Sequence, residues 1–188
     1  MDYYLDINIL EDPEFTAPIL MNALFSKLHR ALVKVSNHYI GVSFPDTGKK
    51  SLGKSLRLHG TQERLSVLES LAWRKGLGDF TQVSDITEAP QTSEYWLVQR
   101  IHVQSNPDRI RRRSMKRHNL TYEQAVEQIP DSAGKELDLP FVRIKSQSTG
   151  GQQFPLFIKQ TAISEASQPN EIQFSKYGLS STTPVPKF

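Results

Sequence analysis

The spacing of apolar residues changes along the first 90 residues. Apolar side chains alternate over residues 3–10, which predicts a strand. From Pro18 to about Val35 they recur every three or four residues, which predicts an amphipathic helix. The other elements predicted here are strands at 39–44, near 55–59 and at 80–86, and a helix from an N-cap at Thr61 to about Lys75. The resulting order β-α-β-β-α-β is the ferredoxin-like pattern.

The second half continues as a mixture of strands and helices. Residues 87–94 have the composition of a linker. After them come a strand at 95–103, helices at about 107–118 and after Thr121, strands at 141–145 and 154–159, and a last strand at 172–177. The sequence therefore predicts an α+β protein with a ferredoxin-like domain at 1–94. A smaller α+β domain with an arginine-rich helix is predicted at 95–188.

Composition excludes several classes of protein. Of the 188 residues, 37% are hydrophobic and 23% charged, which is typical of a globular chain. No apolar run reaches the roughly 20 residues of a membrane helix, and the N-terminus lacks signal-peptide features, so we expect a cytoplasmic protein without membrane partners. The chain has no cysteine, no closely spaced histidine pair and no nucleotide-binding glycine motif. We therefore expect neither a metal nor a cofactor.

Positive charge is concentrated in one segment. Residues 100–118 contain seven Arg and Lys residues and one acid, a net charge of +6, whereas the rest of the chain carries −3. On a helix, five of these cations form one face about 12 Å long. They are Arg109, Arg112, Arg113, Lys116 and Arg117. Like charges at this spacing repel one another, so the face favours a polyanionic partner.

Nucleic acid is the favoured partner of this face, ahead of a solvated surface helix, an anionic membrane or an acidic protein. Charge alone does not separate RNA from DNA. A helix enters the narrow major groove of duplex RNA only near an end or hairpin, which predicts a short stem as ligand. A DNA-binding regulator with its helix in a wide major groove remains an alternative.

An RNA-binding protein without a metal can also cleave its RNA, and this reaction requires a base to take the proton of the 2′-hydroxyl. Histidine suits this role near neutral pH. His29 lies at the edge of the predicted first helix, although His59 and His118 fit equally on spacing alone. The other candidates are the hydroxyl-rich turn at 146–151, Tyr177 and Phe154. Each of these residue types is more often structural, so none is decisive alone.

Taken together, motifs along the whole chain carry a specific resemblance. They are YLDI at 4–7, DPEF at 12–15, LFSKLH at 24–29, IGVSFPD at 40–46, SNPDRIRRR at 105–113, KRH at 116–118, IPD at 129–131, LDLPFVRIKSQSTG at 137–150 and YGLS at 177–180. The chain resembles the CRISPR-associated endoribonucleases of subtype I-F, which cut precursor CRISPR RNA. The resemblance implies that a repeat hairpin binds with the arginine-rich helix in its major groove. Cleavage is then expected at the 3′ base of the stem, without metal, leaving a 2′,3′-cyclic phosphate.

The resemblance also implies residue roles. The family's catalytic histidine, serine and tyrosine correspond to His29, Ser146 and Tyr177. Its stacking aromatic corresponds to Phe154, and its base-contacting arginine to Arg100. The groove-lining cations correspond to Arg112, Arg113, Lys116 and Arg117.

Two features depart from the family: the residue at His102, and the Gly150-Gly151 turn, which is one residue longer than usual. The best-known members have an adenine-contacting glutamine where this chain has His102. The ring nitrogens of histidine point in different directions, which favours a single contact or a different base.

The expected partners are the hairpin RNA and the other subunits of a surveillance complex, in which the enzyme remains bound to its product. The competing interpretation is a non-catalytic hairpin-binding subunit of such a complex.

Overall fold

The structure of the protein, a computed structural model, describes residues 1–36, 38–102, 107–130, 137–145, 151, 153–164 and 172–188. The strands are β1 (Tyr3–Ile9), β2 (Gly41–Ser43), β3 (Ser55–Gly60), β4 (Thr81–Val83), β5 (Thr87–Glu88), β6 (Tyr95–Ile101), β7 (Phe141–Lys145), β8 (Gln153–Ile163) and β9 (Val185–Pro186). The helices are α1 (Ala17–Lys34), α2 (Gln62–Glu69), α3 (Pro107–His118) and α4 (Tyr122–Gln128), with a 3-10 turn at Gly78–Phe80.

The described strands form two antiparallel sheets. The first has the order β2-β3-β1-β4, with β5 also paired to β1. The second has the order β7-β8-β6-β9. The predicted mixed α+β class is confirmed.

Spatial clustering divides the chain into two compact units. The larger unit contains residues 1–101 and 139–188, hence both sheets with α1 and α2. The smaller unit contains residues 102–138, hence α3 and α4. The sequence-based boundary at residue 94 stays a prediction.

One apolar core joins the two sheets of the larger unit. Buried side chains of β1 and α1 belong to the same cluster as Val142 and Ile144 of β7 and Leu156 and Ile158 of β8. The Gln160 side chain reinforces this junction, because its amide donates to the Phe44 carbonyl at 3.0 Å and accepts from the Phe44 N–H at 2.9 Å. On the other side of the core α1 packs against β7, where the Arg143 N–H donates to the Asn22 side chain at 2.7 Å.

Three predicted elements differ from those observed. The second helix ends at Glu69 instead of near Lys75, because Ala72 adopts a left-handed φ of 46° and the Glu69 carboxylate accepts a hydrogen bond from the Trp73 indole. The predicted linker contains β5, which pairs with β1. The predicted strand at 172–177 is wrong, because its described residues enter a tight turn; the last strand is β9.

None of the described helices combines the length and the apolar run that crossing a membrane requires.

Candidate active site

His29 is positioned by the amphipathic pattern of α1. Leu24, Phe25, Leu28 and Leu32 are fully buried and fix the rotation of the helix about its axis. His29 follows this stripe and is only half-buried. The packing of α1 therefore presents the imidazole at the boundary between core and solvent.

A tight turn at Ser175–Gly178 supplies the partners of His29. The Gly178 N–H donates to the Ser175 carbonyl at 2.9 Å, and Gly178 has a φ of 71°, which favours glycine. The Gly178 carbonyl also accepts from the Val42 N–H of β2 at 3.0 Å. A Cβ at position 178 would lie 2.6 Å from Val42 Cγ1, so only glycine allows this approach.

The imidazole of His29 is held at one nitrogen and on one face. Its Nδ1 lies 2.8 Å from the Lys176 carbonyl oxygen. The ring stacks on Tyr177, with 4.1 Å between ring centroids and an interplanar angle of 16°. Because a carbonyl can only accept, this bond requires a proton on Nδ1. In the neutral ring, Nε2 then carries the lone pair that can take a proton.

Arg100 and Phe154 lie beside this pair. The guanidinium carbon of Arg100 lies 5.6 Å from the ring centroids of both Phe154 and Tyr177. Arg100 is on β6 and Phe154 on β8, which are adjacent strands of the second sheet. The structure thus brings together four of the predicted site residues: His29, Tyr177, Arg100 and Phe154.

These groups border a cleft of about 960 Å³. Besides His29, Phe154 and Tyr177, its described walls carry cations from α1 and β7 and no carboxylate. They are Lys27, Arg30, Arg143 and Lys145. Among the described residues, no group of three or more His, Asp or Glu side chains is placed to hold a metal ion. The cleft suits an anionic substrate.

Ser146, the predicted catalytic serine, lies outside the described residues, as does the rest of the turn at 147–150. Its predicted role stays a prediction.

The smaller unit exposes the predicted cationic face. The five side chains Arg109, Arg112, Arg113, Lys116 and Arg117 on α3 are all exposed. Arg111 is instead buried, with its guanidinium bonded to the Ile129 carbonyl and the Asp108 carboxylate. His102 is exposed. The packing of α3 on α4 therefore buries one arginine in a structural role and leaves the five cations of the face exposed to solvent.

The structure also distinguishes the three histidines that fit the role of base equally well on sequence spacing. His59 is fully buried on β3, with its Nε2 2.8 Å from Ser43 Oγ. Burial, aided by the nearby Arg57 charge, lowers the pKa of His59 to about 3. His59 therefore stays neutral and out of reach of a substrate. His118 is exposed at the end of α3 in the smaller unit.

Sequence reasoning missed several groups around His29. The Lys176 carbonyl is a backbone atom, so no residue type indicates it. Asn22, whose side chain accepts from the Arg143 N–H at 2.7 Å, was not identified either. Helical spacing offered a signal, because positions 22, 26 and 29 share one face of α1.

Comparison with known proteins identifies the family of this chain. The Cas_Csy4 model of CRISPR-associated proteins matches residues 4–188. The chain is 46% identical over 188 residues to the CRISPR-associated endonuclease Cas6/Csy4 of Escherichia coli (strain UTI89 / UPEC). It is 44% identical over 190 residues to the protein of that name from Pseudomonas aeruginosa (strain UCBPP-PA14). Both alignments cover 100% of each chain. The family inferred from the sequence motifs is confirmed, and the chain belongs to the Cas_Csy4 family of CRISPR-associated proteins.

Proposed function

We propose that this protein is a metal-independent endoribonuclease that binds the stem-loop of CRISPR repeat RNA. It cleaves precursor CRISPR RNA at the 3′ base of the stem and stays bound to the mature RNA. Full-length similarity to two CRISPR-associated endonucleases supports the general activity. The observation that carries the specific proposal is the arrangement of His29, with Nδ1 on a carbonyl and Nε2 left to act as a base.

In the proposed reaction, His29 Nε2 takes the proton of the 2′-hydroxyl on the nucleotide before the cut. The 2′-oxygen attacks the adjacent phosphorus, and the bond from phosphorus to the 5′-oxygen breaks. The leaving 5′-oxygen takes up a proton from solvent and becomes a 5′-hydroxyl, and His29 returns the proton it took to solvent. The upstream product ends in a 2′,3′-cyclic phosphate. Atoms balance without water or metal in the bond-forming step.

The other residues position the reacting groups. Tyr177 orients the imidazole through the ring stack. Ser146 holds the 2′-hydroxyl and its sugar in line for attack. Phe154 stacks on a base, and Arg100 hydrogen-bonds a base edge with a guanidinium kept in register by the two aromatic rings. These roles complete an RNA site around His29.

The exposed cations of α3 bind the stem. Their single-sign face, free of carboxylates apart from Asp108 in the first turn, suits the phosphates that line a groove. His102 makes a single contact to a base or phosphate. Binding energy thus comes mainly from residues other than the base His29, which accounts for a product that remains bound.

We also propose the wider setting of this activity. The order β2-β3-β1-β4 with α1 and α2 as crossovers supports a ferredoxin-like arrangement in a domain at 1–94, followed by an RNA-binding domain at 95–188. The protein acts in the cytoplasm as one subunit of a surveillance complex.

The test uses two repeat hairpin RNAs in excess EDTA. The first is all RNA, and the second carries a single 2′-deoxy nucleotide before the cut. Cleavage of the first alone, with a cyclic phosphate end, supports 2′-hydroxyl attack without metal. If both bind tightly and neither is cut, the protein is a non-catalytic hairpin-binding subunit. If the deoxy substrate is cut, the 2′-hydroxyl is not the nucleophile.

A further inference from the structure

The cleft beside His29 contains more positive charge than the proposed reaction uses. Lys27, Arg30, Arg143 and Lys145 lie along its walls, and none forms an ion pair with a carboxylate of a described residue. Arg30, Arg143 and Lys145 are exposed, so the charges are available to a ligand. Clustered cations without neutralising acids repel one another and favour a bound polyanion.

The charge continues beyond the cleft along α1. A second hollow of about 270 Å³ is also lined by Lys27 and Arg30, and Lys34 follows them there. The two hollows therefore share a wall. Lys27, Arg30 and Lys34 lie at i, i+3 and i+7, on one helix face and about 10 Å from end to end. At about 3.4 Å or more per phosphate along one strand, this length accommodates two or three phosphates.

Structural roles account for only part of this cationic track. Lys34 lies in the last turn of α1, where a cation stabilises the helix dipole. The Lys27 ammonium donates to the Lys75 carbonyl at 2.8 Å. Among the described residues, Arg30 bonds only to the Ser26 carbonyl of its own helix, at 3.3 Å. Neither the dipole nor these bonds require three cations on the same exposed face.

We propose that this track, Lys27, Arg30 and Lys34, binds the phosphates of the single-stranded RNA that follows the cut. The proposal rests on the function proposed above. The base-contacting groups Arg100 and Phe154 border one side of the His29 pair. The track leads away from His29 along α1. Among the described residues that line its hollow, the aromatic side chain is Trp73, which is buried, so the track suits the phosphate backbone and not the bases. When the base-contacting groups hold the nucleotides before the cut, the single strand that follows the cut continues along this side of His29.

The test measures how a 3′ tail changes binding. Two non-cleavable hairpins, each with a 2′-deoxy nucleotide before the cut, carry either one nucleotide or a longer single strand after it. The longer tail is expected to tighten binding to the unmodified protein. The double variant Arg30→Gln with Lys34→Gln is expected to lose about tenfold of that gain at 0.15 M salt, because each single-strand phosphate contact contributes a salt slope of about 0.7.

Matched controls separate this role from a structural one. Lys49→Gln with Lys159→Gln removes two exposed cations outside both hollows and should keep the full tail effect. A tail added at the 5′ end should bring no gain that depends on Arg30 and Lys34. If the double variant lowers only the unfolding temperature and keeps the tail effect, the track is structural and the proposal is overturned.

Failure of this proposal is distinguishable from failure of the proposed function. Cleavage of the all-RNA hairpin with the one-nucleotide tail tests the function alone. If that hairpin is cut and the unmodified protein binds both tails equally, the function stands and the track is overturned. If neither RNA is cut but the tail effect depends on the track, the track binds RNA as proposed and the cleavage function is overturned.

Discussion

Two histidines of the larger unit occupy opposite environments. His29 contacts a backbone carbonyl and an aromatic ring, and one side of it borders a cleft. His59 is fully enclosed and lies 2.8 Å from the hydroxyl of Ser43. The Ser43–His59 pair has the spacing of a catalytic dyad, but no substrate reaches it. Residue type and pairing distance do not distinguish a candidate base from a structural histidine. Access of the ring to solvent does, together with the group that accepts its N–H hydrogen bond.

The comparison also shows how each ring is stabilised. His29 uses Nδ1 as a donor and leaves Nε2 without a hydrogen bond to any described residue, so its fixed orientation suits the base role proposed for it. His59 leaves Nδ1 without a hydrogen-bond partner among the described residues. An orphan nitrogen in the core costs free energy, and the low pKa of about 3 shows that a proton there would cost more.

The largest expected effect is on cleavage. His29→Ala should lower the cleavage rate of bound hairpin RNA by about a thousandfold, because it removes the general base. Hairpin affinity should stay within about 1 kcal/mol, since we propose that the cations of α3 supply most of it. Single-turnover cleavage and a binding titration measure the two quantities. His38→Ala, which changes an exposed histidine outside the cleft, is the control. Normal cleavage by the His29 variant would remove the proposed base.

The next effect concerns stability and pH. The unfolded chain binds a proton at His59 near pH 6.5, whereas the folded chain binds it only near pH 3. The contribution of neutral His59 to the free energy of unfolding is therefore fully present above about pH 6.5. It is lost on acidification from about pH 6.5 to about pH 3, by about 1.4 kcal/mol per pH unit. His59→Gln should remove this slope in urea unfolding curves at successive pH values. His38→Gln should keep it. An unchanged slope in the His59 variant would contradict a neutral buried ring.

A smaller effect separates the ring of Tyr177 from its hydroxyl. Tyr177→Leu removes the stack on His29 and should lower the cleavage rate about tenfold, the upper value for an aromatic pair. Tyr177→Phe keeps the stack and should remain within about twofold. Single-turnover rates of both variants measure the difference. Equal losses would show that the hydroxyl, and not the stack, is required.

The smallest effect is expected at the buried Ser43–His59 pair. Ser43→Ala removes the hydroxyl beside His59 Nε2 and should lower the free energy of unfolding by about 1 kcal/mol. The cleavage rate of bound RNA should not change, because the pair does not border the cleft. A selective loss of cleavage with normal stability would give Ser43 a role that the geometry excludes.

Local sequence patterns predicted elements well where packing follows a simple period. The stripe of α1 and the bounds of α3 correspond closely to the structure, and the capping box at Thr121 and Gln124 is present as expected. The predictions failed where tertiary contacts decide. The backbone at Phe174 donates to the His38 carbonyl, a partner more than a hundred residues away, so no ladder forms at 172–177.

The candidate site shows the same division. Family motifs identified His29, Tyr177, Arg100 and Phe154, and the structure brings these four together. The tautomer of His29 was not predictable, because it depends on the Lys176 carbonyl. The burial of His59 was not predictable from spacing either, since it depends on the sheet and core that enclose β3.

The fastening of the Gly178 turn to Val42 has a consequence for the order of events during synthesis. Residues 42 and 178 close one of the longest loops in the chain, and contacts of such sequence separation form late. A nascent chain exposes the cations of α3 well before the carbonyl of Lys176 exists to orient His29. The capacity to capture RNA that we propose for α3 therefore arises first. The proposed capacity to cut it arises only after residues 175–178 have been synthesised.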